Sequence, residues 1–464
     1  MMRRLALIFL FCLSAFGAPA SEWADTDAER VRQLQSRALS DDTAWMLLES
    51  LTTEVGARMP GTPGDALGVA WAKSRLNALG FDRVWTEPVT FPYWERNAES
   101  ARLVQPRMQE LAVTALGGSP GTGGALTAEV VHFEDLAALE AAAPAELAGK
   151  IAYIGKRMAR SRDGSGYGET VPGRSRGPFV AASKGALALV IRSVGTDDDR
   201  LPHTGTMSTS EPGERVPSAA ISNPDADILE GLLRRGPVSL ELNLDCGFKG
   251  EATSYNVIGE FAGREGNGEF VAVGGHLDSW DLGTGAVDDG AGVAVTMAAA
   301  RLVQQLPERP LRGVRVVLFA NEEQGIYGAK AYAEKHAAEL ARHVLGAEAD
   351  LGSGRIFRFR SRVAAEAEAR VALLEQWLAP LRIPWQRDQP AWGGADFGQM
   401  RRLGMPVIDL NHDASQYFDL HHSANDTLDK VDPSDLQYNV AAYATLIYWA
   451  AETQVAFGPV APSP

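Results

Sequence analysis

The sequence predicts an α/β fold: a three-layer α/β/α domain around a mostly parallel, mixed sheet, with a β-rich domain inserted into it. From residue 248 onward, short apolar runs alternate with longer helical segments, which is typical of parallel βαβ units. Between residues 125 and 247 the pattern changes to short apolar runs separated by stretches rich in Gly, Pro and Ser. A chain of 464 residues also exceeds one typical domain, so two domains are expected.

The first 20 residues have the pattern of a secretory signal peptide. Arg3 and Arg4 precede an apolar run from Leu5 to Phe16, and small residues follow at Ala18-Pro19-Ala20. The run is too short for a permanent membrane anchor, so we expect cleavage after Ala20 and a secreted or periplasmic protein. An uncleaved anchor is the alternative.

Composition restricts the partners of the mature chain. Hydrophobic residues make up 45% and charged residues 22%, as in an ordinary globular protein. Cleavage removes two arginines and no acid, which changes the formal charge from −15 to −17. Such an acidic chain is not expected to bind nucleic acid or an anionic membrane. Cys246 is then the only cysteine, so no internal disulfide is expected.

Three segments follow the leader in chain order. Residues 21–124 form the N-terminal part of the main domain, with helices between residues 26 and 80 and a turn at Gly61-Thr-Pro-Gly64. Residues 125–247 form the insertion, with strands expected at 151–154, 187–191 and 219–221 and surface loops at 161–177 and 195–217. Residues 248–464 complete the main domain, with strands at 270–274, 314–320 and 406–410 and helices at 291–306, 328–341, 365–378 and 434–453.

Two motifs in the third segment concentrate polar side chains after buried strands. One runs from His276 to Gly292 and the other is Asn321-Glu-Glu-Gln-Gly325. Crowded carboxylates repel one another and are costly to desolvate, so this arrangement favours a bound cation. Imidazole and carboxylate ligands suit Zn²⁺, with Mn²⁺ or Co²⁺ as alternatives. A solvated acidic loop is the competing interpretation.

Together with their spacing, these motifs resemble the M28 family of co-catalytic zinc exopeptidases, most closely its carboxypeptidase Q branch. The resemblance extends over nearly the whole mature chain, including Gly56-Ala-Arg-Met-Pro-Gly-Thr-Pro-Gly64 and Trp94-Glu-Arg-Asn-Ala-Glu-Ser100. Residues 184–193 resemble a protease-associated (PA) domain, which implies that the insertion is such a domain. The resemblance implies two Zn²⁺ ions per subunit.

The resemblance also implies a role for each residue of the first motif. His276 matches a ligand of the first metal, and Asp278 matches the acid that orients this imidazole. Asp288 matches the carboxylate that bridges both metals, whereas Asp289 has no assigned role. Asp350 matches the remaining ligand of the first metal.

The second metal is implied to bind Asp288, Glu323 and a histidine near the C-terminus, with Glu322 as the general base. The family pattern of His, three residues and Asp-Thr favours His422 over His421, and His412 is a weaker rival. If the local chain is extended, only one of the two adjacent histidines points inward. Three carboxylates on two divalent cations leave net positive charge to polarise a peptide carbonyl.

The remaining predictions concern less specific positions. Gly394, Asp396 and Tyr417 are expected to line the substrate cleft, with Tyr417 as an oxyanion donor or as a core residue. The other histidines are expected to be surface or structural residues, and two of them are placed on a solvated helix face: His132, His203, and, on that face, His336 and His343.

The implied function is an exported exopeptidase that hydrolyses dipeptides or removes N-terminal residues from short peptides. Within the same class, a carboxypeptidase-like enzyme or an N-acyl-amino-acid amidohydrolase is the alternative. A non-catalytic receptor on a peptidase fold and a zinc transferase that cyclises N-terminal glutamine are further alternatives. Short peptides are the expected partners, and a homodimer is possible. The insertion carries none of the proposed ligands, so it is expected to act as a separable lid.

Overall fold

A computed structural model describes residues 25–462, so the proposed signal peptide lies outside the described residues. The strands are β1 (Arg83–Gln105), β2 (Gln109–Leu111), β3 (Val113–Ala115), β4 (Leu126–Phe133), β5 (Ile151–Ile154), β6 (Ala188–Arg192), β7 (Ser218–Ile221), β8 (Ser239–Phe261), β9 (Phe270–His276), β10 (Gly313–Phe319), β11 (His343–Glu348), β12 (Ile356–Arg362) and β13 (Val407–His412). The α-helices are α1 (Asp25–Ala38), α2 (Thr43–Ser50), α3 (Pro63–Ala78), α4 (Leu136–Ala141), α5 (Pro144–Leu147), α6 (Ser165–Ser175), α7 (Gly177–Ser183), α8 (Asn223–Leu233), α9 (Ala291–Gln304), α10 (Tyr327–His336), α11 (Glu368–Leu378), α12 (Phe397–Arg402) and α13 (Pro433–Glu452).

The main domain is built on a mixed sheet with a parallel centre. Strands β13, β11, β9 and β10 lie side by side in parallel, and the antiparallel strands β12 and β8 flank them. Helices α1, α2, α9 and α13 bury one face of this sheet, and α10 and α12 bury the other. The prediction of a three-layer, mostly parallel α/β domain is therefore confirmed.

A local signal explains where α3 begins. The Thr62 hydroxyl accepts a hydrogen bond from the Asp65 N–H and caps α3, and Pro63 occupies its first turn. The predicted turn at Gly61–Gly64 thus leads directly into a helix. Among the described residues, no helix is long and apolar enough to cross a membrane.

Strands β1 and β8 join this sheet to a second one. They run antiparallel along nearly their whole lengths, and the C-terminal half of β8 pairs with β10 while its N-terminal half pairs with β4. Beyond β4 lie β5, β6 and β7 in parallel and β3 as an antiparallel edge strand. Two long strands therefore connect the segment 125–247 to the sheet that carries the motifs.

The segment 125–247 contains more helix than its sequence suggested. The stretch 161–177, expected as a surface loop, contains α6. Its Gly, Ser and Pro residues have low helix propensity, but the helix buries Thr170 and Arg174 against the rest of the protein, and packing outweighs propensity. Cys246, in β8, is a buried free thiol.

Candidate metal centre and active site

Three parallel strands bring the two motifs to one edge of the sheet. His276 is the last residue of β9 and pairs with the last residue of β10, Phe319. Glu322 and Glu323 follow β10, and Asp350 follows β11 on the other side of β9. The carboxyl ends of neighbouring parallel strands meet at the same edge, which is where open α/β sheets place their ligand sites.

A first cluster consists of His276, Asp288 and Asp350. The His276 Nε2 atom lies 3.1 Å from an Asp288 oxygen and 3.7 Å from an Asp350 oxygen. His276 and Asp288 are buried, and the three ligand atoms are close enough together to hold one metal ion.

A second cluster shares Asp288 and adds Glu323 and His422. The His422 Nε2 atom lies 2.8 Å from a Glu323 oxygen and 3.4 Å from the second oxygen of Asp288. Asp288 therefore presents one oxygen to each cluster, as a bridging carboxylate requires.

His421 also points into the second cluster, and the expectation that only one of the two histidines would do so is wrong. Its Nε2 atom lies 3.6 Å from Asp288, and its ring stacks on that of His422 with the centroids 3.5 Å apart. The reason is that the chain turns here instead of running extended: the backbone φ of His422 is 60°.

The donor set fits divalent cations. Buried oxygens of Asp288 and Glu323 have no hydrogen-bond partner among the described residues. Burial, with the charge of Asp288 adding to it, raises the pKa of Glu323 well above its usual value. Burial raises the pKa of Asp350 to about 6, with Asp288 and Asp278 adding to the rise and His276 opposing it. Carboxylates that are this crowded, next to imidazole nitrogens, are stabilised when a cation lies between them.

Asp278 contacts both the imidazole and the second motif. Its backbone carbonyl oxygen lies 3.0 Å from the His276 Nδ1 atom, while its carboxylate lies 3.7 Å from that atom. The carboxylate instead accepts hydrogen bonds from the backbone N–H groups of Glu322 (3.0 Å) and Glu323 (3.3 Å). Asp278 thus ties the end of β9 to the turn that carries both glutamates.

Asp289 follows the bridging residue and acts on the backbone. Its carboxylate accepts hydrogen bonds from the N–H groups of His276 and Gly292, both at 3.1 Å. The residue, which has no role in the family pattern, therefore fixes the end of β9 against the start of α9.

Glu322 faces a cavity of about 690 Å³ that also contacts Asp288, Glu323, Asp350 and His422. Burial, with the charges of Asp350, Asp278 and Asp288 adding to it and that of His276 opposing it, raises the pKa of Glu322 to about 8. A carboxylate that contacts the cavity without being needed by either cluster is well placed for proton transfer.

The three residues predicted to line the cleft are placed differently. Tyr417 is buried and lines the cavity. Ala395 also lines the cavity, whereas its neighbours Gly394 and Asp396 do not. The Glu348 carboxylate accepts hydrogen bonds from the N–H groups of residues 395–397 and so holds this turn in place.

Gly394 is required by this turn, so Gly394→Ala is expected to destabilise the protein by about 2 kcal/mol or more. Its φ is 70°, and a Cβ atom would lie 2.2 Å from the Glu348 carboxyl carbon. Thermal unfolding measures the effect. Gly231→Ala in α8 is the control and is expected to be neutral or to stabilise by about 0.5 kcal/mol, because a Cβ there meets nothing closer than 3.8 Å. Equal Tm values for both variants would contradict this account.

Two supporting residues were not identified from the sequence. Arg58 is fully buried, and its guanidinium donates hydrogen bonds to four backbone carbonyls of the loops around the first motif: Gly56, Leu277, Thr284 and Gly285. Asp426 accepts hydrogen bonds from the N–H groups of Val287 (2.6 Å) and Asp288 (3.3 Å) and so positions the bridging residue. Arg58 lies in the segment 56–64 and Asp426 in the pattern at 422–427, and both segments carried the family resemblance. That resemblance was the sequence signal that could have identified them.

Arg174 is a third residue that sequence reasoning missed. It lies on α6, in the segment 125–247, and lines the same cavity as Glu322. The guanidinium is buried and donates hydrogen bonds to the Tyr167 hydroxyl (2.6 Å) and the Thr204 carbonyl (3.4 Å), while its Nε atom has no partner among the described residues. An arginine in a Gly- and Ser-rich stretch gives no sequence signal of this placement.

The other histidines lie outside both clusters. His412 is buried, and burial lowers its pKa to about 4. His336 and His343 are also buried, so the solvated helix face expected for them is wrong. His336 contacts the Glu87 carboxylate, and His343 contacts the Tyr332 hydroxyl, because α10 packs against β1 and β11 through these polar groups. Buried polar groups keep partners of this kind.

Buried histidines and carboxylates at the end of a parallel sheet, open to a cavity, define the active site of an α/β metallohydrolase. Residues 256–447 match the family model described as peptidase family M28. Carboxypeptidase Q of Xenopus laevis is 33% identical over 429 residues, which cover 92% of this chain and 90% of that protein. The chain therefore belongs to peptidase family M28, and it is a metallopeptidase.

Solved structures agree with this assignment. The crystal structure of a peptidase M28 precursor from Shewanella amazonensis SB2B is similar to this chain with a TM-score of 0.92 and 46% identity, covering 95% of this chain and 100% of that one. A zinc aminopeptidase from Bacillus subtilis shares the fold at 19% identity, with a TM-score of 0.66 and coverage of 90% and 97%.

Proposed function

We propose that this metallopeptidase is an exported di-zinc exopeptidase that hydrolyses dipeptides or releases N-terminal residues from short peptides. The donor set of imidazole and carboxylate groups supports zinc, and one protein of the same fold is named a zinc aminopeptidase. Export is supported by the leader pattern of residues 1–20.

The two clusters would hold the metal ions, with His276, Asp288 and Asp350 around one and Asp288, Glu323 and His422 around the other. When bound, two zinc ions supply Lewis-acid activation of the peptide carbonyl and of the attacking water. The protein's own contribution is the Asp288 carboxylate, which presents one oxygen to each cluster, and a site that is open to the cavity.

Proton transfer is assigned to Glu322. It accepts a proton from the attacking water and delivers it to the nitrogen of the leaving amine. The Glu322 backbone N–H donates a hydrogen bond to Asp278, which fixes the point from which the side chain extends toward the cavity. Tyr417, which lines the same cavity, donates a hydrogen bond from its hydroxyl to the oxyanion that develops on the carbonyl oxygen.

The observation that carries the exopeptidase proposal is the buried charge of Arg174 in the substrate cavity. A buried cation is costly unless it meets an anion, and no ion pair of Arg174 is found among the described residues. A guanidinium recognises a carboxylate with paired hydrogen bonds. We therefore assign Arg174 to the free C-terminal carboxylate of a dipeptide, which limits the substrate on that side.

This assignment gives an expected result for Arg174→Met. Because a hydrogen bond to a charged group contributes about 1.5–3 kcal/mol, kcat/KM for a free dipeptide is expected to fall about 10- to 100-fold. The amide of the same N-terminal residue has no carboxylate, so its hydrolysis is expected to change less than about threefold. Steady-state kinetics on both substrates measures the difference, with zinc content as the control for an intact site.

An equal loss of kcat/KM on the dipeptide and on the amide would contradict the assignment of Arg174 to the substrate carboxylate. The wild-type protein should also be compared on a free and an N-blocked dipeptide of the same sequence. Preference for the free α-amine supports a dipeptidase or aminopeptidase. Preference for the blocked substrate would instead establish the carboxypeptidase-like or amidohydrolase alternative.

A further inference from the structure

We propose that the inserted segment positions the second metal cluster, and that His203 and Thr204 do so by holding the turn that carries His422. The inference rests on the proposed function, because it takes His422 as a metal ligand. It differs from the sequence-based expectation of a separable lid, in which residues 125–247 only cover the cleft.

Thr204 contacts both the backbone and the imidazole ring of His422. Its N–H donates a hydrogen bond of 2.9 Å to the backbone carbonyl of His422, and its own carbonyl oxygen lies 3.3 Å from the His422 Nδ1 atom. The Nε2 atom of the same ring points at Glu323 and Asp288. A metal-binding imidazole usually donates its other N–H to a carbonyl or carboxylate, which fixes the ring and its tautomer. Here that acceptor belongs to the insertion.

His203 holds the neighbouring residue. Its Nδ1 atom lies 2.6 Å from the backbone carbonyl oxygen of His421, and its Nε2 atom lies 2.7 Å from an Asp197 oxygen. Both partners are acceptors, so each contact is a hydrogen bond when the ring nitrogen that faces it carries the proton. His203 and Asp197 are buried, where such hydrogen bonds are least exposed to competing water.

The close approach of the two segments depends on Gly205. A Cβ atom at this position would lie 2.2 Å from an Arg174 nitrogen and 2.7 Å from the His422 Nδ1 atom. The segment 203–205 is therefore packed directly against both the metal ligand and the proposed carboxylate-binding residue. His203 is a positioning residue: it touches no substrate and acts through the backbone of the 421–422 turn.

Two substitutions separate the contacts of His203. In His203→Gln, the side-chain amide nitrogen takes the position of the imidazole Nε2. This variant therefore keeps a donor for Asp197 and loses the donor for the His421 carbonyl. In His203→Asn, the side-chain amide nitrogen takes the position of the imidazole Nδ1. This variant therefore keeps the donor for the His421 carbonyl and loses the donor for Asp197. A role in positioning thus predicts that the glutamine variant has the weaker metal site.

The experiment measures the affinities of both zinc ions by competition with a chelator, for the wild-type protein and each variant. His203→Gln is expected to weaken one zinc ion about 10- to 100-fold and to leave the other unchanged, as loss of a contact outside the ligands does. His203→Asn is expected to stay within about threefold of the wild type. His132→Gln is the matched control, because its ring packs against Tyr153 in the same insertion, and both affinities should be unchanged.

Three outcomes would overturn the inference. The first is unchanged zinc affinity in His203→Gln, and the second is an equal loss in both His203 variants. The third is loss of both zinc ions together with a lower Tm of the metal-free protein, which indicates a structural role only. A wild-type protein that binds two zinc ions but cleaves no peptide contradicts the proposed function and leaves this test in force.

Discussion

Replacing Glu322 with glutamine is expected to lower kcat for a dipeptide by at least about 100-fold while two zinc ions remain bound. Glutamine has nearly the same size as glutamate but cannot accept the proton of the attacking water. The side chain faces the cavity, and the backbone contact with Asp278 does not depend on the substituted group. Steady-state kinetics, together with the zinc content of the purified variant, measures both parts of this expectation.

Glu323→Gln is the matched control, because it makes the same chemical change one residue further along the chain. Its oxygen lies 2.8 Å from the His422 Nε2 atom, so this variant is expected to lose zinc as well as activity. If Glu322→Gln loses a zinc ion and Glu323→Gln does not, the roles of the two glutamates are reversed.

His422→Ala is expected to abolish measurable turnover and to release one zinc ion of the two. The substitution removes one of the three groups of the second cluster and leaves the buried carboxylate of Glu323 without its imidazole partner. His276, Asp288 and Asp350 remain in place, so the first zinc ion should stay bound. Zinc content and dipeptide hydrolysis are measured on the same preparation.

His421→Ala is the control for this substitution and is expected to keep measurable turnover. The two rings are stacked and both approach Asp288, so neighbouring positions of the same residue type are compared. The structural difference is that His422 alone approaches Glu323 closely. Retention of both zinc ions in His422→Ala, with loss of one in His421→Ala, would assign the ligand to His421.

Periodicity and motif position predicted three strands of the main sheet, whereas β8, β11 and β12 were not predicted. The buried runs 270–274 and 314–320 were predicted as strands and correspond to β9 and β10, and the polar residues after them lie at one edge. This works because a parallel strand buried on both faces is apolar throughout, and its carboxyl end is where the chain must become polar. In the structure, strand order brings His276, Glu323 and Asp350 to this edge, whereas their assignment as ligands together with Asp288 came from the family resemblance.

Local sequence was less informative where packing sets the conformation. Helix α6 forms in a stretch of low helix propensity because its buried face packs against the protein. His336 and His343 appear polar in a sequence pattern, yet they are buried because Glu87 and Tyr332 lie opposite them. These partners are 249 and 11 residues away, and such pairings have no signal in a window of neighbouring residues.

By itself, the sequence determined the fold class, the edge of the sheet that carries the site, and the residue types that could hold metal ions. The reason is that strand periodicity and the spacing of ligand residues are properties of continuous segments. The tertiary structure alone decided that both His421 and His422 face Asp288, that Arg174 brings a buried charge into the cavity, and that Thr204 holds the His422 imidazole. Each of these contacts joins segments that are far apart in the chain, and those of Arg174 and Thr204 also join the segment 125–247 to the sheet that carries the site.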